Sequence, residues 1–136
     1  MQVNQTCSFG IGVELGLPFD TAVETVKRAF QAEGFGTLTS IDVQKTLKEK
    51  IGTEMEPYVI LGVCNPNLAS RSIAAEHQSG LLLPCNILVH QCGDKIHVDA
   101  QDPAKMLGFV GNPSLEPIGR EARERIHKAL ASLTDV

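Results

Sequence analysis

The sequence has no apolar run of 18 or more residues, and its N-terminal segment lacks the features of an export signal. A membrane-spanning helix needs about 20 apolar residues, and a secretory signal needs a positive segment followed by an apolar one. Residues 1–6 provide neither. We therefore expect a cytoplasmic protein with no membrane partner.

A surplus of basic residues is also missing. The chain contains 12 Lys and Arg against 16 Asp and Glu, which gives a formal net charge of -4. Proteins that bind nucleic acid neutralise phosphates with clustered Lys and Arg, whereas the basic residues here are interleaved with acidic ones, as on a solvated face. We expect no nucleic-acid partner.

Recognisable cofactor and catalytic motifs are absent. The chain contains no Gly-x-Gly-x-x-Gly, Walker, Gly-x-Ser-x-Gly or His-Glu-x-x-His pattern. Its four cysteines, Cys7, Cys64, Cys85 and Cys92, form no Cys-x-x-Cys pair, so a zinc ribbon and a thioredoxin-type motif are not supported. In the cytoplasm these cysteines are expected to be reduced thiols. We expect no cofactor, and the sequence favours a non-enzyme.

The overall composition is typical of one globular domain. Of the 136 residues, 43% are hydrophobic and 21% charged, which suffices for a packed core in a single domain spanning residues 1–136. The two most apolar runs, residues 58–66 and 81–89, each carry a Cys-Asn pair beside a proline. They predict two buried strands around which the fold is organised.

Hydrophobic spacing and capping residues predict strand, helix, strand, small helix, strand, helix, hairpin and helix in that order. Residues 7–15 alternate with a period of two, which places Phe9 and Ile11 on the inner face of a first strand. Pro84 cannot donate to a strand ladder, so it marks an edge, a bulge or a strand start. Further strands are predicted at 36–41, 58–64 and 81–91, and helices at 18–33, 42–50, from 66 to about 77, from 103 and from 116. This order is typical of an α+β two-layer fold with a largely antiparallel sheet.

Gly93-Asp94 is a two-residue hairpin signal. It places His90 opposite His97 on the outer face and leaves the inner face apolar apart from Cys85. The outer face also receives Cys92, Asp99 and Gln101. Opposed side chains have Cβ atoms roughly 4.5–5.5 Å apart. His90 and His97 are therefore weak candidates for metal ligands, and exposed histidines without a ligand are the alternative.

Cys64 directly precedes the helix start Asn65-Pro66. Free N–H groups at that point favour a thiolate, although a buried cysteine at a strand end is the alternative. If the two apolar strands are neighbours, Cys64 and Cys85 approach each other and could hold a soft metal or a small ligand, or form a disulfide. Met106 could add a thioether. The candidate pocket is thus Cys64, Asn65, Cys85 and Met106.

Several segments resemble a known family. They are residues 34–43 (Gly-Phe-Gly-Thr-Leu-Thr-Ser-Ile-Asp-Val), 60–66 (Ile-Leu-Gly-Val-Cys-Asn-Pro), 83–89 (Leu-Pro-Cys-Asn-Ile-Leu-Val), and Asp102-Pro103 with Met106. Over about residues 7–133 the chain is similar to the domain of unknown function family 302, the TT-type bacterial and archaeal proteins.

The resemblance implies a fold similar to the TATA-binding-protein-like class, in which two principal helices pack on one face of a curved, mainly antiparallel sheet. It also implies a dimer. The family carries no settled activity, but the match marks Cys64, Asn65, Pro84, Cys85 and Met106 as a shared feature. It assigns no role to the other two cysteines.

Three hypotheses follow. The first is a small cytoplasmic domain that acts as a homodimeric binding module, with a cysteine-lined pocket for a small ligand or a soft metal. The second is a thiol-dependent redox or sulfur-handling protein with Cys64 as nucleophile and Cys85 as resolving thiol. The third is a purely structural interaction domain. We also expect Cys64 to be the most reactive thiol, and Pro84 to mark an unpaired strand edge that a second subunit covers.

Overall fold

The computed structural model describes residues 2–134, which form a six-stranded sheet and five α-helices. The strands are β1 (Asn4–Cys7), β2 (Gly10–Leu15), β3 (Gly36–Asp42), β4 (Tyr58–Cys64), β5 (Cys85–Cys92) and β6 (Lys95–Gln101). The helices are α1 (Phe19–Ala32), α2 (Val43–Ile51), α3 (Pro66–Ala75), α4 (Pro103–Gly108) and α5 (Glu116–Leu133). No helix within these residues is long and apolar enough to cross a bilayer.

The strands lie in the order β1-β2-β6-β5-β4-β3, and each neighbouring pair is antiparallel. The β5–β6 hairpin occupies the centre of the sheet. Helices α1 and α5 pack on one face of it and against each other. The predicted α+β fold, with a mainly antiparallel sheet and two principal helices on one face, is confirmed.

The long helices form because their apolar residues recur on one side. In α1 the buried positions are Ala22, Val23, Val26 and Phe30, which is the three-to-four-residue spacing of a helix that covers a sheet. The helix is followed by Gly34, whose φ of 85° is a left-handed conformation that glycine adopts without strain. Helix α5 buries a similar stripe from Ile118 to Leu133.

The hairpin register is confirmed residue by residue. Cys92 pairs with Lys95, His90 with His97, and Val89 with Val98. The residues predicted to face inward are all buried: Cys85, Ile87, Val89, Ile96, Val98 and Ala100. A shift by one residue would have exchanged the two faces, so the apolar set is what specifies this register.

The prediction of a single first strand over residues 7–15 is wrong. The structure has two strands here, and Phe9 lies in the turn between them with 58% of its surface exposed. The added strand β1 is exposed along its whole length and contains Asn, Gln and Thr. A polar edge strand of this kind has no alternation of apolar and polar residues, so hydrophobic periodicity did not reveal it.

The predicted strand over residues 81–91 begins too early. Helix α3 ends at Ala75, a 3₁₀ segment runs from His77 to Leu82, and β5 starts at Cys85. Pro84 thus lies just before the start of the strand. A strand start was one of the three positions predicted for it, beside an edge and a bulge. Because β5 pairs with β4 on one side and β6 on the other, the expectation that Pro84 marks an unpaired edge is wrong.

Candidate functional site

A small cavity lies where β4 ends and β5 begins, and α3, α4 and α5 close it from the helical side. The volume that the centre of a water-sized sphere can occupy in this cavity is about 30 Å³. By the same measure, a cavity needs roughly 10–15 Å³ to hold one water molecule. The four candidate pocket residues, Cys64, Asn65, Cys85 and Met106, all line this cavity. The fold therefore brings together residues from three separate parts of the chain.

Asn65 forms the turn from β4 into α3. Its side-chain oxygen accepts a hydrogen bond from Leu68 N at 3.2 Å, and Pro66 occupies the first helical turn. Its amide nitrogen packs so close to Gly34 that a Cβ at position 34 would lie 2.9 Å from it. Asn65 is only 9% exposed. Its oxygen is thus engaged in capping the helix, and the residue acts as a rigid part of the wall.

Cys85 is held as a neutral thiol. It is 8% exposed, and burial raises the pKa of its thiol to about 11 from the ordinary value of 9.0. The nearby Cys64 contributes to this rise, whereas a hydrogen bond with Gln101 opposes it. Near neutral pH Cys85 therefore brings no charge into the cavity and is a poor nucleophile.

Cys64 and Cys85 lie on neighbouring strands without being bonded to each other. Val63 is the direct partner of Cys85, so Cys64 is one step farther along, with the two Cα atoms roughly 6 Å apart by strand geometry. Both residues are free thiols. Cys64 is the last residue of β4, and both residues line the same cavity. The separation of their Cα atoms lies within the range that disulfides span.

Helix α4 places Met106 in the cavity wall and is anchored by Asp102. One carboxylate oxygen of Asp102 accepts hydrogen bonds from Ala104 N at 3.0 Å and Lys105 N at 3.4 Å. The other oxygen accepts from Arg123 Nε on α5 at 3.0 Å. The capping role of Asp102 follows from the sequence, but the ion pair that ties α4 to α5 does not.

The sheet face opposite α1 and α5, which we call the open face, carries a row of ionisable and aromatic side chains. Tyr58, His90, His97 and Glu14 are successive partners across β4, β5, β6 and β2. The His90 ring centroid lies 5.3 Å from that of Tyr58 and 5.4 Å from that of His97. The prediction that His90 and His97 are cross-strand neighbours on the outer face is confirmed.

The two histidines do not share a ligand position. His90 Nε2 lies 2.7 Å from Asp99 Oδ2 and His90 Nδ1 lies 3.6 Å from Cys92 Sγ, so both ring nitrogens are engaged. His97 Nε2 lies 3.6 Å from Glu14 Oε1. Within residues 2–134, no group of three or more His, Cys, Asp or Glu side chains is arranged to hold a metal ion. A metal at His90 would have to displace one of its present contacts.

Comparison with known proteins places the chain in a family. Residues 11–133 match the family described as "Domain of unknown function DUF302". The chain belongs to this family. A crystal structure of an uncharacterized conserved DUF302 protein from Bacillus stearothermophilus matches this DUF302 chain with a TM-score of 0.86 and 28% identity, over 91% of this chain and 97% of the other. A search of curated proteins finds no match. The TATA-binding-protein-like class stays a prediction.

Two residues of the DUF302 chain have contacts that the sequence analysis missed. Gln101 accepts from Asn86 N at 3.3 Å and lines the cavity, although strand alternation assigned it only to the outer face. No sequence signal reveals that contact, because it depends on how the strand ends meet. Cys92 contacts His90, and here a signal was available, since residues two apart on a strand share a face.

Proposed function

We propose that the domain is a binding module whose cavity takes a small thiophilic ligand, and that monovalent copper is the species that fits best. The observation that carries this proposal is that Cys64, Cys85 and Met106 line one cavity with room for only a few atoms. An organic molecule of ordinary size would need the surrounding helices to move. A single ion would not.

The donor atoms favour a soft ion over a hard one. Thiolate and thioether ligands select monovalent copper, whereas Mg²⁺ and Ca²⁺ require oxygen ligands. The rest of the lining is largely apolar, with Phe35 and Leu68 among its members. An apolar lining excludes water and so disfavours ions that retain a hydration shell.

Binding at Cys85 should release a proton. Its thiol pKa of about 11 keeps it protonated near neutral pH, and a metal ligand must be the thiolate. The apparent affinity should therefore rise with pH, by about tenfold per pH unit for each proton released.

Anaerobic titration of the reduced protein with monovalent copper, against a competing chelator, tests the proposal. We expect one ion per chain, with weaker retention in the Cys85→Ala and Met106→Leu variants. Cys7→Ala is the matched control, because Cys7 is exposed and lies outside the cavity lining. If the protein retains no copper, or if Cys85→Ala retains as much as the wild type, the cavity is not a copper site and a structural interaction domain is the better description.

A redox role for Cys64 and Cys85 is the second candidate function. The two residues are close along the strand pair, but the raised pKa of Cys85 opposes disulfide formation, which proceeds through a thiolate. Mild oxidation followed by peptide mapping decides between the two candidates. An intramolecular Cys64–Cys85 disulfide that forms without loss of the fold would favour the redox role over copper binding.

We also propose that the domain forms a homodimer through Leu81 and Phe109. Each is 86% exposed, and they flank a groove that Leu82 and Val110 also line. Exposed apolar patches of this kind mark interaction surfaces, and the family resemblance implies a second copy as the occupant.

Light scattering at tens of micromolar should give a dimer for the wild type and a monomer for the double variant Leu81→Lys with Phe109→Lys. Ile51→Lys, which changes an exposed apolar residue elsewhere, should leave the dimer intact. A monomeric wild type would contradict the proposal.

A further inference from the structure

His90 lies between a thiol and a carboxylate on the open face. Its Nε2 is 2.7 Å from Asp99 Oδ2, and its Nδ1 is 3.6 Å from Cys92 Sγ. An ionised carboxylate only accepts hydrogen bonds, so the proton of a neutral His90 belongs on Nε2. Nδ1 is then free to accept the proton of the Cys92 thiol.

The central hairpin brings these three side chains together. Cys92 and His90 are two residues apart on β5, and Asp99 on β6 lies two residues beyond His97, the direct partner of His90. The side chains of His90 and Asp99 are 19% and 21% exposed, whereas Cys92 is exposed. A thiol that solvent reaches therefore contacts an imidazole that is mostly shielded from solvent.

Other ionisable groups surround this arrangement on every neighbouring element. They are Tyr58 on β4, His97 and Lys95 on β6, Glu14 on β2, Glu56 before β4 and Asp94 in the hairpin loop. Lys95 is the direct partner of Cys92 in the hairpin register.

We propose that Cys92 is a nucleophilic thiol activated by His90, with Asp99 as a positioning residue, and that it exchanges with low-molecular-weight disulfides. The thiol proton passes from Cys92 Sγ to His90 Nδ1, and the thiolate attacks one sulfur of the disulfide. A new S–S bond forms as the old one breaks, and the departing thiolate takes the proton from His90. Cys92 is oxidised to a mixed disulfide, and one half of the small disulfide leaves as a reduced thiol.

Disulfide exchange suits this site better than acyl transfer. Exchange needs an accessible thiolate and a leaving group, whereas acyl transfer also needs donors for an oxyanion. The adjacent loop amide, Gly93 N, already donates to Glu56 Oε2 at 3.1 Å.

The mixed disulfide should persist until an external thiol removes it. Cys85 lies at the far end of β5, roughly 23 Å away at the strand rise of 3.3 Å per residue. Cys64 and Cys7 are at that same far end of the sheet. No cysteine of residues 2–134 can therefore reach Cys92 to resolve the bond within one subunit.

Timed reaction of the reduced protein with cystamine, followed by peptide mass mapping, tests the proposal. We expect Cys92 to react at least tenfold faster than Cys7 at pH 7, since both are exposed but only Cys92 has an imidazole hydrogen bond among the described contacts. His90→Gln should reduce the Cys92 rate to that of Cys7. Asp99→Asn should reduce it less and move the pH profile of the reaction. Protection of the buried Cys85 from cystamine serves as the control for folding in each variant.

Three results would overturn the assignment. They are equal rates at Cys92 and Cys7 in the wild type, an unchanged Cys92 rate in His90→Gln, and Cys64 reacting first. The wild-type comparison decides the matter even if a variant fails to fold. The assignment reverses the order expected from the sequence, in which Cys64 ranked first, and it is independent of copper binding in the cavity.

Discussion

Alkaline pH should weaken the fold through Cys85, the buried thiol of the cavity. In the unfolded chain this thiol ionises near its ordinary pKa of 9.0, whereas burial raises the pKa to about 11 in the folded state. A raised pKa means that the stabilising contribution is fully present below pH 9 and is lost as the pH rises through 11. At about 1.36 kcal/mol per pKa unit, the free energy of unfolding should fall by about 1.4 kcal/mol at pH 10 and by about 3 kcal/mol once ionisation is complete.

Urea unfolding at pH 8 and pH 10 measures this loss in the wild type and in Cys85→Ala. The substitution also changes packing, but that effect is the same at both pH values and cancels in the comparison. Other groups that titrate in this range cancel in the same way. Cys7→Ala, which removes an exposed thiol that belongs to neither proposed site, should lose as much stability as the wild type. If Cys85→Ala loses as much as the wild type, Cys85 is not a neutral buried thiol and the proton release proposed for copper binding has no basis.

Three substitutions test the packing around the two sites by chemical denaturation. Gly12→Ala should lower the free energy of unfolding by about 2 kcal/mol, because the added Cβ would overlap a main-chain carbonyl oxygen of β6. Gly16→Ala is the control: its added Cβ meets nothing within 4 Å, so the change should be neutral or slightly stabilising. Asp102→Ala should cost about 2 kcal/mol, since it removes a helix cap and the partner of Arg123; Asp102→Asn should recover the capping part. Asn65→Ala should cost about 1 kcal/mol through the lost cap, and Asn65→Ser should restore most of it. No measurable effect of Asp102→Ala or Asn65→Ala, or equal effects at the two glycines, would contradict these contacts.

The parts of the fold that local rules govern were predictable from the sequence. Asn65-Pro66 and Asp102-Pro103 start helices because a side-chain oxygen and a proline suit the same helical turn. Gly93-Asp94 set the hairpin register because only one register buries every apolar residue. Strand β1 and the 3₁₀ segment before β5 were not predictable, since neither has an apolar period.

The candidate site was likewise only partly predictable from the sequence. Cys64, Cys85 and Met106 could be named from their positions, but the size of the cavity between them depends on how α3, α4 and α5 meet. The contact between Gln101 and Cys85 likewise depends on the relative placement of strand ends. His90 and Cys92 were both assigned to the outer face, and only side-chain rotamers bring the ring nitrogen to the sulfur.

The pairing of β2 with β6 has a consequence for synthesis of the chain. Residues 10–15 have their central neighbour at residues 96–101, so β2 cannot complete its ladder on that side until most of the chain has left the ribosome. Until then Ile11, Val13 and Leu15 present an apolar strand with an open edge, which is the kind of segment that associates with other chains. Closing so long a loop is also slow. Nascent chains that stop short of residue 101 should therefore depend on chaperones, whereas chains that extend past it can close the sheet themselves.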